Sequence, residues 1–336
     1  ENEVLGYTGK PDSYYNAIIN WVKQRYDLIV TKEVINFVPG IVPGIGMAMN
    51  CFTQKGDKVM IQPPVYHPFA WVTTRNERTL VINPLKWENG MYRMDLDAFR
   101  EQIKGCKLFI LCNPHNPGGV VWTEAELRAI ADICYDEKVL VFSDEIHADL
   151  TLPPHTHRPF ATVSEKARMN SVTFMSPSKA FNMPGLSASH ALIFNEDLRK
   201  RFRIYMDAGE LDMGHVFAFL SVEAAYSHGT EWLDQCLAYI QGNIDFVDEF
   251  LKKHAPKIKA IRPEASYLVW LDCRELELSQ KDLNEFFVDK AHLALNDGEM
   301  FGKEGIGFMR LNVASPRCII EKAMKQLADA YQLYIK

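Results

Sequence analysis

No apolar run in this chain approaches the roughly 18 residues that a membrane-spanning helix needs. No signal peptide, internal repeat, low-complexity tract or flexible linker is visible. The seven cysteines include no Cys-x-x-C spacing. Their odd number argues against a disulfide framework, and reduced thiols in a cytoplasmic protein are expected. Basic residues are not gathered into long runs and the net charge is −6, which argues against nonspecific binding to nucleic acid. Neither a membrane nor a nucleic acid is an expected partner. What the chain does have is 336 residues, 47% of them apolar. That is enough for one large core and a smaller one, so two domains are expected.

Four short apolar runs carry the chemistry at their ends. Ser171-Val172-Thr173-Phe174-Met175 has the β-branched character of a buried strand and leads into Ser176-Pro177-Ser178-Lys179. Val139-Leu140-Val141-Phe142-Ser143 ends in Asp144, followed by Glu145-Ile146-His147. Lys107-Leu108-Phe109-Ile110-Leu111-Cys112 runs into Asn113-Pro114-His115-Asn116-Pro117-Gly118-Gly119, and Lys58-Val59-Met60-Ile61 leads to Pro63-Pro64-Val65-Tyr66. In a parallel sheet these four ends converge on one edge, where open α/β sheets place their ligands.

A lysine at a strand end is a poor core residue, because a desolvated ammonium is expensive. It makes sense as an amine that forms a Schiff base with a carbonyl. The groups around it match the needs of pyridoxal 5'-phosphate. The aldehyde needs Lys179, and a carboxylate such as Asp144 keeps the pyridine nitrogen protonated. An amide such as Asn116 donates to the ring hydroxyl, and an aromatic ring such as Tyr66 stacks on the ring face.

Taken with these motifs, several stretches make the chain resemble the fold-type I pyridoxal phosphate enzymes of the aspartate aminotransferase superfamily. They are Ser143-Asp144-Glu145-Ile146-His147, residues 176–186, Pro263-Glu264-Ala265-Ser266-Tyr267, Leu295-Asn296-Asp297-Gly298, Phe301-Gly302-Lys303-Glu304-Gly305 and Phe308-Met309-Arg310-Leu311-Asn312. Within that superfamily the chain is most similar to the cystathionine β-lyase branch of C–S lyases. The resemblance covers essentially the whole chain. It implies Lys179 as the Schiff-base lysine, Asp144 as the partner of the ring nitrogen, Asn116 as the donor to the ring hydroxyl and Tyr66 as the stacking ring. Arg310 would clamp the substrate's α-carboxylate with its planar fork. The phosphate would rest on backbone amides at Gly40-Ile41-Val42, where the chain turns into a helix, with Ser176 and Ser178 adding hydroxyls. Tyr7 matches a tyrosine that reaches the neighbouring subunit's phosphate, which implies a homodimer with shared active sites.

Two positions depart from the aminotransferase pattern. Ser187 stands where those enzymes carry a phosphate-binding arginine, and His147 replaces a tyrosine that donates to the ring oxygen. Histidine can still donate there, or it can be a supporting core residue. Relatives also usually carry a further segment before the stretch that matches Gly6-Tyr7, so part of the small domain is expected to be missing before Glu1.

The expected fold is α/β: a large domain with a mostly parallel sheet flanked by helices, residues 9–240, and a smaller α+β domain, residues 241–336. Helices are predicted over 13–26, 123–137, 196–206 and 231–253, the last bridging the domains. Strands over 259–272, a helix over 280–290, a strand over 307–313 and a closing helix over 316–333 follow. His155-Thr156-His157, set among Pro153, Pro154 and Pro159, reads as a surface loop and not a metal site. The expected reaction is α,β-elimination from an L-cysteine S-conjugate such as cystathionine, a small amino-acid substrate. Transamination uses the same residues, and a non-catalytic regulatory protein on the same fold is the reading from a different class.

Overall fold

The computed structural model describes residues 6–334. Its larger sheet has seven strands: β1 (Ile35–Val38), β2 (Lys58–Ile61), β3 (Thr79–Ile82), then, beyond the small hairpin β4 (Lys86–Glu88) and β5 (Met91–Arg93), β6 (Cys106–Cys112), β7 (Leu140–Asp144), β8 (Ser171–Met175) and β9 (Ser189–Leu192). Their spatial order is β3-β2-β6-β7-β8-β9-β1. Strands β2, β3, β6, β7 and β8 are parallel, and only β9 runs against its neighbours. The central strands are buried on both faces, which is why they read as continuous apolar runs and not as alternations.

The helices are α1 (Asp12–Tyr26), α2 (Ile41–Phe52), α3 (Pro68–Arg75), α4 (Leu96–Gln102), α5 (Glu124–Asp136), α6 (Glu165–Met169), α7 (Glu196–Asp207), α8 (Val216–His228), α9 (Thr230–His254), α10 (Gln280–Glu285) and α11 (Arg317–Tyr334). Local chemistry sets several starts. Thr123 and Glu126 form a reciprocal capping box at α5, and the Asn195 side chain caps α7. Helix α8 escapes a periodicity reading because its apolar residues face both ways. Ala218, Phe219 and Val222 are buried, while Phe217 and Leu220 are 54% and 51% exposed. The helix expected over 280–290 is α10 followed by a π-helical turn, Phe286–Lys290, in which adjacent Phe286 and Phe287 are both buried.

The second sheet is antiparallel, in the order β10 (Lys259–Ile261), β11 (Leu268–Asp272), β13 (Phe308–Asn312), β12 (Asn296–Asp297). Alternation along β13 divides its work. Met309 and Leu311 join the core formed with Ile244, Val247 and Leu251 of α9 and Met324 and Leu327 of α11. Phe308 and Arg310 face the other way, toward the large sheet. There Trp270, fully buried, stacks on Phe308 at 5.2 Å and meets Phe301 edge-on at 5.5 Å. The domain boundary expected at residue 240 falls inside the continuous helix α9.

Two close approaches dock the small sheet against the loops that follow β2 and β6. Gly119, at φ +69°, lies so near Pro263 that a Cβ would come within 2.4 Å of Pro263 Cβ and 2.8 Å of its Cα. Gly119 O accepts from Glu264 N (2.8 Å) and Ala265 N (3.1 Å). At the second approach, Val65 N donates to Phe301 O (2.9 Å), and Gly302, at φ +125°, faces Pro63.

Gly119→Ala therefore carries both a left-handed backbone penalty and a clash with a neighbouring backbone. Gly105, at φ +76° with nothing within 4 Å of a built Cβ, isolates the first effect. Gly105→Ala should cost about 1 kcal/mol, and Gly119→Ala should lower the thermal unfolding midpoint by clearly more. Equal midpoints for the two variants would show that the Gly119–Pro263 approach is not tight.

Candidate active site

A cavity of about 470 Å³ opens at the carboxyl edge of the large sheet. Its floor and walls follow from the parallel order: Cys112 at the end of β6 pairs in register with Asp144 at the end of β7, and Asp144 with Phe174 of β8. The sheet hydrogen bonding continues past the strand ends through Asn113 N to Asp144 O and Glu145 N to Phe174 O, each 2.9 Å. Consequently Tyr66, Asn116, Asp144, His147, Ser178 and Lys179 all line one space, with Arg310 entering from the second sheet.

Asp144 is 3% exposed, and its Oδ1 accepts one hydrogen bond, from Ile146 N at 3.1 Å. Burial pushes its carboxyl up to about 7, Glu145 adds to that shift, and the Ile146 amide and the Lys179 ammonium oppose it. Among the described residues no salt bridge reaches this carboxylate, and Lys179 acts on it only from a distance. His147 is buried and its Nδ1 has no partner. Burial, with Lys179 and Arg310 as nearby cations, pushes it down to about 3, so it is neutral at physiological pH. Tyr66 is raised by burial and by Asp144 and lowered by Arg310.

Arg310 is preorganised. Its Nη1 donates to Asn116 Oδ1 (2.9 Å), its Nη2 donates to Asn296 Oδ1 (2.8 Å), and its guanidinium lies 4.6 Å from the centroid of the Phe301 ring. Burial lowers it to about 10, which still leaves it charged at neutral pH.

Opposite, α2 begins at Ile41 after Gly40, whose φ of +140° suits glycine, and no side chain caps this terminus. The amides of Ile41 and Val42 are first-turn donors with no intrahelical acceptor, an anion site in the sense of P-loop helices. Pro43 next to them has no N–H. Hydroxyls of Ser178, Ser187 and Ser189 border the same space.

Two expected residues sit elsewhere. Ser176 is buried behind the cavity wall: its Oγ donates to Ala188 O (2.7 Å), accepts from Ser178 N (3.1 Å) and lies 2.9 Å from Ser178 Oγ. It shapes the Lys179 loop and is not a cavity hydroxyl. Tyr7 is 99% exposed and does not line its own chain's cavity. The residues 155–157 are not simply a surface loop either. His157 is buried because its Nε2 reaches Glu145 Oε2 at 2.8 Å, and Glu145 also accepts from Ser143 Oγ and Phe160 N, each at 2.8 Å.

Further residues share the cavity without having been assigned a role from sequence: His67, Ser189, Tyr267, Asn296 and Asn312. Three of them lie in stretches already singled out, Tyr267 after Pro263-Glu264-Ala265-Ser266, Asn296 before Asp297-Gly298, and Asn312 after Arg310-Leu311. Their signal was present, but only the pairing of β11, β12 and β13 shows that they meet.

The donors and acceptors fit pyridoxal phosphate in type: an amine, a buried carboxylate without a cation, an aromatic face, an uncapped helix start and a guanidinium. Known proteins agree. The chain is 37% identical over 332 residues to cystathionine beta-lyase PatB of Bacillus subtilis, covering 98% of this chain and 86% of that protein. Among solved structures, cystalysin from Treponema denticola, which contains a pyridoxal 5'-phosphate cofactor, superposes with a TM-score of 0.96 at 34% identity, over 99% of this chain and 85% of that one. A PLP-bound C–S lyase from Staphylococcus hominis gives a TM-score of 0.91 at 33% identity, over 98% and 86%. The sequence profile of the family described as aminotransferase class I and II matches residues 2–327, and the chain belongs to that family.

Proposed function

We propose that this protein is a pyridoxal phosphate-dependent C–S lyase that cleaves L-cystathionine or related L-cysteine S-conjugates to a thiol, pyruvate and ammonia. The observation that carries the reading is the single cavity gathering Lys179, Asp144, Asn116, Tyr66 and Arg310. The lyase outcome, as opposed to amino transfer, is supported by the relatives named as C–S lyases.

When bound, the cofactor supplies an aldehyde for the amino group and a ring that withdraws electrons. Arg310 holds the substrate's α-carboxylate, with Asn116 braced against it. Lys179 Nζ would hold the cofactor's aldehyde and, as a free amine, would take the proton from the substrate's Cα as general base. Asp144 would keep a proton on the ring nitrogen, a cation that its buried carboxylate favours beside it. As the Cα electron pair is released, the Cβ–S bond breaks and sulfur leaves as thiolate. The enamine that remains takes up water to give pyruvate and ammonia. Tyr66 would cover the ring face, His147 would offer a neutral imidazole to the ring oxygen, and Gly40, Ile41, Val42 and Ser178 would hold the phosphate.

The functional unit we infer is a homodimer. Tyr7 is free to reach another subunit, and Phe217 and Leu220 of α8 leave apolar surface that a second copy would cover. All seven cysteines are free, which supports a reducing, cytoplasmic setting. No helix among the described residues is long and apolar enough to cross a membrane.

Purified enzyme given L-cystathionine should form pyruvate without any added 2-oxo acid, and Lys179→Ala should reduce the rate by about a thousandfold or more. It should also lose the visible-edge absorbance of lysine-bound cofactor. Turnover that requires a 2-oxo acid would establish an aminotransferase instead, and wild-type pyruvate formation by Lys179→Ala would remove the lysine from its role.

Shared sites make a second prediction. Tyr7→Ala and Lys179→Ala homodimers should each be inactive, yet mixing and reassorting them should restore activity, because one hybrid site carries both native residues. Hybrids verified by mass that recover no activity would place Tyr7 outside the partner's site.

A further inference from the structure

We propose that Asn296 is a second donor to the substrate's α-carboxylate, acting beside Arg310; the proposal rests on Arg310 as the carboxylate clamp. Asn296 and Arg310 are directly opposite one another in the antiparallel pair of β12 and β13, so their side chains share a face. Arg310 carries only donors, so the oxygen of the Asn296 amide must face it, and Oδ1 accepts from Nη2 at 2.8 Å. The amide plane then fixes where the NH2 group goes. Nδ2 points away from Arg310, on a residue that lines the cavity, and its nearest partner is the weak acceptor Met300 Sδ at 3.7 Å.

The rest of the arginine is arranged to match. Its Nη1 is held by Asn116 Oδ1 at 2.9 Å, and its Nε is buried without a partner. Each Nη therefore keeps one N–H beyond the bonds to the two asparagines. These hydrogens and the Asn296 amide group, on two residues that line the same cavity, are all donors, and a carboxylate has acceptor sites for all of them.

Asn296 is exposed, but the backbone that carries it is anchored by the next two residues. Asp297 accepts from Glu299 N (2.9 Å), Gln280 Nε2 (2.5 Å) and Asn284 Nδ2 (2.6 Å). At Gly298 an added Cβ would lie 2.1 Å from Gly305 O and 2.3 Å from Phe308 O. The Asn-Asp-Gly sequence thus reads as one donor amide, one anchoring carboxylate and one residue small enough for the two segments to meet.

The test uses cofactor-loaded enzyme and two probes that differ by one group. 2-Methylalanine has an α-amine and an α-carboxylate but no α-proton, and isopropylamine is the same skeleton without the carboxylate. Binding is followed by the change in cofactor absorbance. Asn296→Ala should weaken 2-methylalanine about tenfold or more, leave isopropylamine unchanged, and raise KM for L-cystathionine while kcat stays within about twofold. Asn296→Asp should weaken 2-methylalanine further, because the new carboxylate pairs with Arg310 and competes with the ligand's own. Equal loss for both probes would mean that Asn296 only supports the fold, and the proposal would fall. Arg310→Lys separates the two layers of the argument. If it weakens 2-methylalanine while both Asn296 variants bind it like wild type, only the Asn296 role is lost. If Arg310→Lys has no effect, the clamp itself is wrong.

Discussion

The buried carboxylate of Asp144 is the constraint on which the rest of the structure depends. It lies at the end of a central strand with one backbone donor and no paired cation of its own. A charged carboxylate in that position is costly unless a cation completes it. The fold bears this cost at the one place where a protonated ring nitrogen would offset it. That is the same logic by which active sites are recognised from perturbed acids in clefts.

The remaining geometry delivers partners to that point. Parallel β2, β6, β7 and β8 bring Tyr66, Asn116 and Lys179 to the same edge, each within a few residues of its strand. The second sheet supplies what a parallel sheet cannot, a guanidinium approaching from the opposite side. Its position is held by backbone contacts at Gly119 and Gly302, by the aromatic cluster of Trp270, Phe301 and Phe308, and by the amides of Asn116 and Asn296. Arg310 is therefore tied to both sheets at once, so the cleft geometry and the carboxylate site are one feature.

Much of this was legible in the sequence because the chemistry sits directly after buried strands, and continuous apolar runs mark such strands without ambiguity of face. Lys179, Asp144, Asn116 and Tyr66 all have that signature, and all line the cavity. What stayed hidden depends on contacts between distant segments. Asn296 meets Arg310 through strand register, which no local pattern encodes. Ser176 was expected to face the cavity, but the tight turn before Lys179 directs its hydroxyl to Ala188 O. His157 is buried because of Glu145 upstream. Helix α8 lacks a polar face, so its apolar residues gave no period to read.

The most direct measurement of the central claim is the thermal stability of cofactor-free enzyme as a function of pH, compared with Asp144→Asn. With its carboxyl raised to about 7 in the fold, against an ordinary value near 3.9 in the unfolded chain, Asp144 binds more proton when folded throughout that window. Its contribution is therefore fully present at low pH and is lost as pH rises through about 7. Wild type should fall in midpoint relative to Asp144→Asn between roughly pH 4 and pH 7 and run parallel to it above that, and added pyridoxal phosphate should recover more stability for wild type than for the amide variant. Parallel curves for the two proteins, with equal recovery on adding cofactor, would contradict the account of Asp144 as a buried charge that the cofactor completes.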